Sequence, residues 1–256
     1  MPLPLKEHLR ALYAQALVGF GAVARARRRN RDAALVLMYH RVLNDEEVPP
    51  DIDPGMYVTR SAFERHLRYL REHHDVIDLD QLFAWLRGTL TTTRSPCVIT
   101  FDDGWADNFT VAYPLLRQYG LPASIFLISE KVGDPALLTW EQVHEMRQHG
   151  VSFGSHTATH PVLTEIGDAA VVEELTLSKA RLERELGTPC RWVCYPKGRF
   201  DERSLAAARQ LYVGALSTIE GPVAKDSDLH RIPRIGVHHD VTRTTALFAC
   251  RLASLV

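Results

Sequence analysis

The 256-residue sequence predicts a single-domain α/β protein whose parallel strands close, or nearly close, into a barrel. Three observations carry this expectation. Short apolar, β-branched runs alternate with amphipathic helical ones. Several of those runs are apolar on both faces, the mark of a parallel sheet covered by helices. Seven or eight such repeats fall within about 220 residues, which suits a barrel better than an open sheet. No low-complexity linker or internal repeat divides the chain.

The chain opens on an amphipathic helical pattern, Leu5, Leu9, Leu12, Ala16, Phe20 and Val23, which runs into Arg25, Arg27, Arg28, Arg29 and Arg31. Three readings stay open for this arm, residues 1–32: a helix docked on the barrel, a helix lying on an anionic membrane surface, and a signal segment cut at Ala22-Val23-Ala24. Glu7, Gln15 and the arginines after the cut weigh against the signal. No stretch approaches the ~20 apolar residues of a membrane span.

The barrel is expected over 33–256. Its strands are predicted at 33–38, 75–77, 97–101, 124–128, 151–154, 191–194, 213–217 and 232–237. A helix over 61–73 carries Phe63, Leu67 and Leu70 behind a Thr59/Ser61 cap. Further helices are predicted at 80–87, 105–119, 140–149, 169–186 and 202–211.

Composition narrows the function classes. Apolar residues make up 46% and charged residues 24%, so a disordered or fibrous chain is excluded. Lys plus Arg (30) balances Asp plus Glu (31), leaving no global field to draw nucleic acid. Histidine is in excess, at 12 residues, and is the commonest metal ligand. Cys97, Cys190, Cys194 and Cys250 form no Cys-x-x-Cys pair. Four buried thiols in a reducing compartment are expected, with a Cys190–Cys194 or other bridge as the alternative.

In a parallel barrel the chemistry gathers where strands end. Cys97–Phe101 ends in Asp102-Asp103-Gly104-Trp105. Adjacent carboxylates repel unless a cation or donors neutralise them. They also point apart, so one can ligate a metal while the other faces water; a simple capping turn is the competing reading. The strand at 151–154 runs into Ser155-His156-x-x-x-His160-Pro161. That spacing places two imidazoles on one side of a helical turn, and Asp103 completes a two-histidine, one-carboxylate set with open positions. His40, following Leu35–Tyr39, is a candidate general acid or else a core histidine. Tyr195-Pro196-Lys197-Gly198 is a strand-tip turn whose N–H groups can hold an oxyanion, or a turn only.

Thr100-Phe-Asp-Asp-Gly104 followed by Ser155-His156-x-x-x-His160-Pro161 resembles the polysaccharide deacetylase (NodB-homology, carbohydrate esterase family 4) family over roughly residues 33–240. Tyr39-His40 and Tyr195-Pro-x-Gly198 resemble its branch that deacetylates poly-N-acetylglucosamine, in which the motif order is permuted and the late histidine is supplied near the N-terminus. The resemblance implies a distorted (β/α)7-like barrel. It implies a divalent metal, zinc above Co2+, Ni2+ or Mn2+, on Asp103, His156 and His160, with Asp102 as base and His40 as acid. It also points to Tyr195, Pro196, Lys197, Gly198 and Arg234 as substrate-binding residues. The family often has an aromatic residue where Lys197 stands. Arg231 and Arg234 match a late segment, either one orienting Asp102 or meeting an anionic substrate. His238 and His239 are expected to face solvent, and His66, His73, His74, His144 and His149 to lie on helix surfaces.

The function so implied is hydrolysis of N-acetyl groups from an amino sugar in a poly-, oligo- or lipid-linked saccharide, by a water the metal activates. The alternatives are a catalytically silent carbohydrate-binding protein, or an enzyme cleaving O-acetyl, formyl or other small amide bonds. The expected setting is the cytoplasmic side of the membrane, in envelope polysaccharide biosynthesis, with a secreted or periplasmic place as the alternative. Peripheral membrane association would run through residues 1–31.

Overall fold

The structure, a computed structural model, describes residues 5–255. The first four residues of the expected 1–32 arm, and Val256, lie outside that range. In chain order the elements are α1 (Leu5–Gly19), α2 (Ala22–Arg29), β1 (Leu35–Tyr39), β2 (Arg41–Leu43), β3 (Tyr57–Thr59), α3 (Arg60–His73), β4 (Asp75–Val76), α4 (Leu79–Leu86) and β5 (Pro96–Phe101). They continue with α5 (Tyr113–Tyr119), β6 (Ala123–Leu127), α6 (Trp140–Arg147), β7 (Val151–Ser155), α7 (Asp168–Leu186), β8 (Trp192–Cys194), α8 (Glu202–Leu211), β9 (Gly214–Leu216), β10 (Ile235–Gly236), α9 (His239–Thr242) and α10 (Thr245–Leu252).

One parallel sheet runs β10-β1-β5-β6-β7-β8-β9, with β4 added beside β5. The segment leading into β10 joins the two ends of this order. Ile232 bridges Leu216 on β9, and three residues later Ile235 pairs with Leu37 on β1. The sheet therefore curls into the expected barrel, in a single domain.

Alternation along the strands sorts side chains into two cores. Val36, Val98, Phe126, Trp192 and Leu216 fill the inside together with Leu79, Leu82 and Trp85 of α4. Leu35, Leu37, Ile99, Ile125 and Val193 pack outward under the helices. Thr59 caps α3 as the sequence indicates, its Oγ1 accepting from the Ala62 N–H at 3.3 Å, and Asp78 with Gln81 adds a capping box on α4.

Several expectations need correction. β2 and β3 form a separate two-stranded parallel sheet, and α9 and α10 follow the barrel; their apolar runs are too short to carry a periodic signal. The predicted helix over 105–119 begins only at Asn108, as a π turn leading into α5, because residues 103 and 104 adopt left-handed backbone. His66 and His74 are buried, at 0% and 3% exposure, and His238 and His239 are half-buried. The four cysteines, by contrast, are buried free thiols as the sequence indicates, with no Cys190–Cys194 bridge.

The N-terminal pattern forms two helices broken at Gly21, whose φ is +73°. α1 lies along α10, with Ala14 fully buried and Ala11 and Leu17 packed on the core. Glu7 pairs with Arg243, and the Cys250 thiol lies 3.7 Å from the Ala14 carbonyl.

Candidate active site

The candidate residues converge where the parallel strands end. Along β5, Val98, Thr100 and Asp102 point inward in succession, so Asp102 closes the inner column of the barrel. There it meets Arg234, carried in by the seam segment. Arg234 Nη1 donates to Asp102 Oδ1 at 2.7 Å and Nη2 to Oδ2 at 2.8 Å, with both side chains buried. The remaining guanidinium donors reach the Ser217 carbonyl at 2.8 Å, Thr100 Oγ1 at 3.3 Å and Cys194 Sγ at 2.9 Å. Burial alone would raise the Asp102 carboxyl. The Arg234 charge and its hydrogen bonds overcome that, with smaller help from His156 and His40, and hold it far below the ordinary carboxylate range. Burial, with the Asp102 and Asp103 carboxylates, pushes the Cys194 thiol well up against the opposing charge of Arg234, so it stays protonated.

This overturns the reading of Arg234 as a substrate-binding residue. Its guanidinium is 1% exposed and fully engaged, so it has no free face for a saccharide. Of the two arginines that matched the late segment, Arg234 orients Asp102, while Arg231 pairs with Glu202 and Asp228 at the surface. Tyr195 and Pro196 are buried as well, the Tyr195 hydroxyl donating to the His230 carbonyl at 3.1 Å, so their side chains face the core. Lys197 is exposed.

Asp103 leaves the strand with a φ of +74°, and Gly104 follows at +77°. A Cβ on Gly104 would fall 2.6 Å from Leu127 Cδ2, so the loop passes β6 only because residue 104 lacks one. The turn swings the Asp103 carboxylate away from Asp102. Trp105 Nε1 donates to Asp103 Oδ2 at 3.0 Å, and Oδ1 stands 3.5 Å from both His156 Nε2 and His160 Nε2. The guanidinium of Arg41 lies over the Trp105 ring at 4.6 Å and is held by Asp107 at 2.8 Å. None of these three supporting residues was singled out by sequence reasoning, because each acts through a neighbour rather than at a strand tip.

His156 and His160 come together across a loop, not along a helical turn as the spacing suggested. Thr157 and His160 have φ of +66° and +71°, and the two rings stand 4.7 Å apart. Non-glycine residues in this region cost of order 1 kcal/mol or more each, and such strain gathers at functional sites. His156 Nδ1 lies 2.8 Å from the Cys194 carbonyl, which can only accept. Nδ1 therefore carries a proton, which leaves Nε2, on the Asp103 side, as the ring nitrogen open to a metal. Burial, and then the neighbouring His156, push His160 down to about 4, so His160 is neutral near pH 7.

The donor set fits a divalent metal. An ion with tetrahedral bonds of ~2.1 Å holds its ligand atoms about 3.4 Å apart, close to the 3.5 Å separations around Asp103 Oδ1. Asp102, His156 and Cys194 also bring their donor atoms within 4.8 Å of one another. That second set does not fit: Asp102 is committed to Arg234, the Cys194 thiol is protonated, and a shared His156 would have to turn its protonated nitrogen to the ion. His40 follows β1, half-buried, with its carbonyl accepting from Asn108 Nδ2 at 2.9 Å; its charge bears on both Asp102 and His238.

The chain resembles known proteins in sequence and in fold. Residues 89–215 match the family model described as polysaccharide deacetylase. The chain is 30% identical over 204 residues to YxkH of Bacillus subtilis (strain 168), whose name places it among polysaccharide deacetylases; the match covers 79% of this chain and 70% of that one. It is 26% identical to the poly-beta-1,6-N-acetyl-D-glucosamine N-deacetylase of Staphylococcus epidermidis, over 84% of this chain and 82% of that one. The solved structure of the Streptococcus pyogenes deacetylase PplD in complex with acetate superposes with a TM-score of 0.77 at 27% identity, covering 86% of this chain and 98% of that one.

Proposed function

Because the chain belongs to the polysaccharide deacetylase family, hydrolases acting on C–N bonds, we propose that it removes N-acetyl groups from an amino sugar within a saccharide, using a divalent metal held by Asp103, His156 and His160. The observation that carries this reading is the pairing of a buried, ionised Asp102 with a two-histidine, one-carboxylate set that begins one residue away in the chain. A bound divalent ion supplies Lewis acidity, lowering the pKa of water and polarising the amide carbonyl.

The chain's own groups account for the proton traffic. Asp102 accepts a proton from the attacking water; Arg234 keeps the carboxylate ionised and fixes its plane, so no rotamer search precedes the transfer. The backbone N–H at Lys197 faces the developing oxyanion. His40 donates a proton to the sugar nitrogen as the C–N bond breaks, since an amine anion is too poor a leaving group. Water is consumed, and acetate and a free amine leave.

The relatives named for poly-β-1,6-N-acetyl-D-glucosamine favour a β-linked N-acetylglucosamine oligomer as substrate, and two histidines with one carboxylate are a ligand set that zinc takes. The test is acetate release from β-1,6-linked N-acetylglucosamine oligomers, chitin oligomers, lipid-linked sugars and nucleotide sugars, after loading with Zn2+, Co2+, Ni2+ or Mn2+. Release that requires the metal and is abolished by Asp102→Asn supports the reading. Absence of release from every N-acetyl substrate, with release from an O-acetyl ester, overturns it.

A further inference from the structure

Of the apolar pattern that the sequence placed on the N-terminal helix, Val23 is buried in the core, but Leu9, Leu12, Ala16 and Phe20 do not face the barrel. Residues 9, 12, 13, 16 and 20 fall within about 100° of one another on a helical wheel, and all five are exposed. Leu9, Leu12, Tyr13 and Phe20 are 57%, 55%, 59% and 89% exposed. The docked face is the opposite one, through Ala11 and Ala14, whose small side chains let α1 lie against α10. Half of the exposed large hydrophobic residues among those described are therefore collected on one face of one helix. Burying them in water-excluding contact is what an interaction surface does.

The charge beside the stripe identifies the occupant. Two residues after Phe20, α2 begins, and Arg25, Arg28 and Arg29 stand exposed on it at the i, i+3 and i+4 positions of one face. Among the described residues none of the three forms an ion pair, whereas nearby Arg27 turns inward to Tyr69. Lys6 and Arg10 flank the stripe on α1 itself. An apolar stripe bordered by unpaired arginines is the pattern of a helix lying in the plane of an anionic bilayer. No described helix is long and apolar enough to cross one. We propose that α1 and α2 seat the protein on an anionic lipid surface, Leu9, Leu12, Tyr13 and Phe20 entering the headgroup–acyl boundary and Arg25, Arg28 and Arg29 meeting lipid phosphates.

The seat has a consequence for the site. α1 runs in the same direction as α10, with Glu7 beside Arg243 and Ala14 beside Cys250. Arg243 follows β10 at the end where the parallel strands terminate, so the stripe extends along the barrel flank from the site end. Val23 and Arg27 of α2 lie beside Leu35 at the start of β1 and Ser95 ahead of β5, so the arginines sit toward the barrel end opposite the site, and the site faces along the surface rather than onto it.

The proposal does not depend on the reaction, and its test reads binding alone. The full chain is mixed with vesicles of equimolar phosphatidylcholine and phosphatidylglycerol and sedimented; vesicles of phosphatidylcholine alone are the reference. Wild type is expected to co-sediment with the anionic vesicles, and raised salt to weaken it. Leu12→Ser with Phe20→Ser, and separately Arg25→Gln with Arg28→Gln and Arg29→Gln, are each expected to lower the partition coefficient by about tenfold or more. Because all five side chains are exposed, thermal melts should match wild type. Wild type that stays in the supernatant, or variants that bind as wild type does, overturn the proposal. So does a wild-type dimer that Leu12→Ser with Phe20→Ser converts to a monomer, which would assign the stripe to a second copy.

Discussion

Asp102 and Arg234, 132 residues apart in the chain, meet inside the barrel through two parallel hydrogen bonds of 2.7 and 2.8 Å. The pair links the strand that delivers the candidate base to the segment that closes the barrel seam. A buried ion pair is often no more stabilising than an apolar substitute, whereas breaking one by deleting a single partner is costly. The arrangement therefore makes more sense as a device for holding Asp102 ionised and oriented than as a source of stability.

Removing the arginine separates the two roles. Arg234→Gln leaves a buried carboxylate without its cation and is expected to destabilise the fold by about 3–5 kcal/mol, with turnover falling by at least ~100-fold. Asp102→Asn combined with Arg234→Met removes both charges and should recover most of the stability and none of the activity. Urea denaturation and acetate release on the four corners of this cycle read both effects. A double variant as unstable as Arg234→Gln would show that the pair holds the seam rather than the base.

Metal binding should divide the adjacent aspartates. His156→Ala, His160→Ala and Asp103→Ala are each expected to lose a bound divalent ion, while Asp102→Asn retains it and loses turnover. Trp105→Phe removes the indole N–H from Asp103 Oδ2, and metal affinity should fall by about 10- to 100-fold. Elemental analysis and calorimetric titration of each variant check this. Wild-type protein that takes up no divalent metal would leave the Asp103–His156–His160 cluster without its proposed role.

Much of this site is legible in the sequence because its first layer is local. Asp102-Asp103 and His156…His160 directly follow apolar β-branched runs, so strand-tip logic locates them without knowledge of the fold. The residues that hold them are not local. Arg234 reaches Asp102 only because the seam brings residue 234 between β9 and β1, and the loop between His156 and His160 depends on left-handed backbone at Thr157 and His160, which spacing alone mistakes for a helical turn. Periodicity likewise reveals the stripe on α1 but not that Ala11, Ala14 and Leu17, on the other side, form its docked face. His66 and His74 look like surface residues by their helical setting, and only the packing of α10 and β5 buries them.

The Tyr195–Gly198 turn should tolerate change at Lys197 and not at Gly198. Lys197 has a φ of +53° and an exposed side chain, so Lys197→Gly is expected to stay within about 1 kcal/mol of wild-type stability and to keep kcat, any loss appearing in KM. A Cβ at Gly198 would stand 2.0 Å from Thr218 Oγ1 and 2.5 Å from its Cβ, at a φ of +66°. Gly198→Ala should therefore displace the turn, cost about 2 kcal/mol or more, and lower kcat. Steady-state kinetics with denaturation curves decide this, and a collapse of kcat in Lys197→Gly would deny the backbone N–H its place at the oxyanion.

Acid should unfold the protein partly through two histidines remote from the site. The Thr242 carbonyl accepts from His66 Nε2 at 2.7 Å, so Nδ1 is bare and accepts from the Tyr39 hydroxyl at 3.2 Å. A proton on Nδ1 would face another donor inside the core. Burial, aided by the charge of Arg65, pushes His66 down to about 3, and burial pushes His74 down to about 4. Both native values lie below the unfolded value of about 6.5, so the unfolded chain takes up protons first as pH falls. The stabilisation from keeping these imidazoles neutral is complete above about pH 6.5 and declines at about 1.4 kcal/mol per pH unit for each histidine toward pH 4. Urea melts between pH 7.5 and about 4.5 should show this slope. In His66→Gln, which no longer titrates, the curve should start lower at neutral pH and flatten by one histidine's share; a slope unchanged from wild type would mean that His66 is protonated in the folded state.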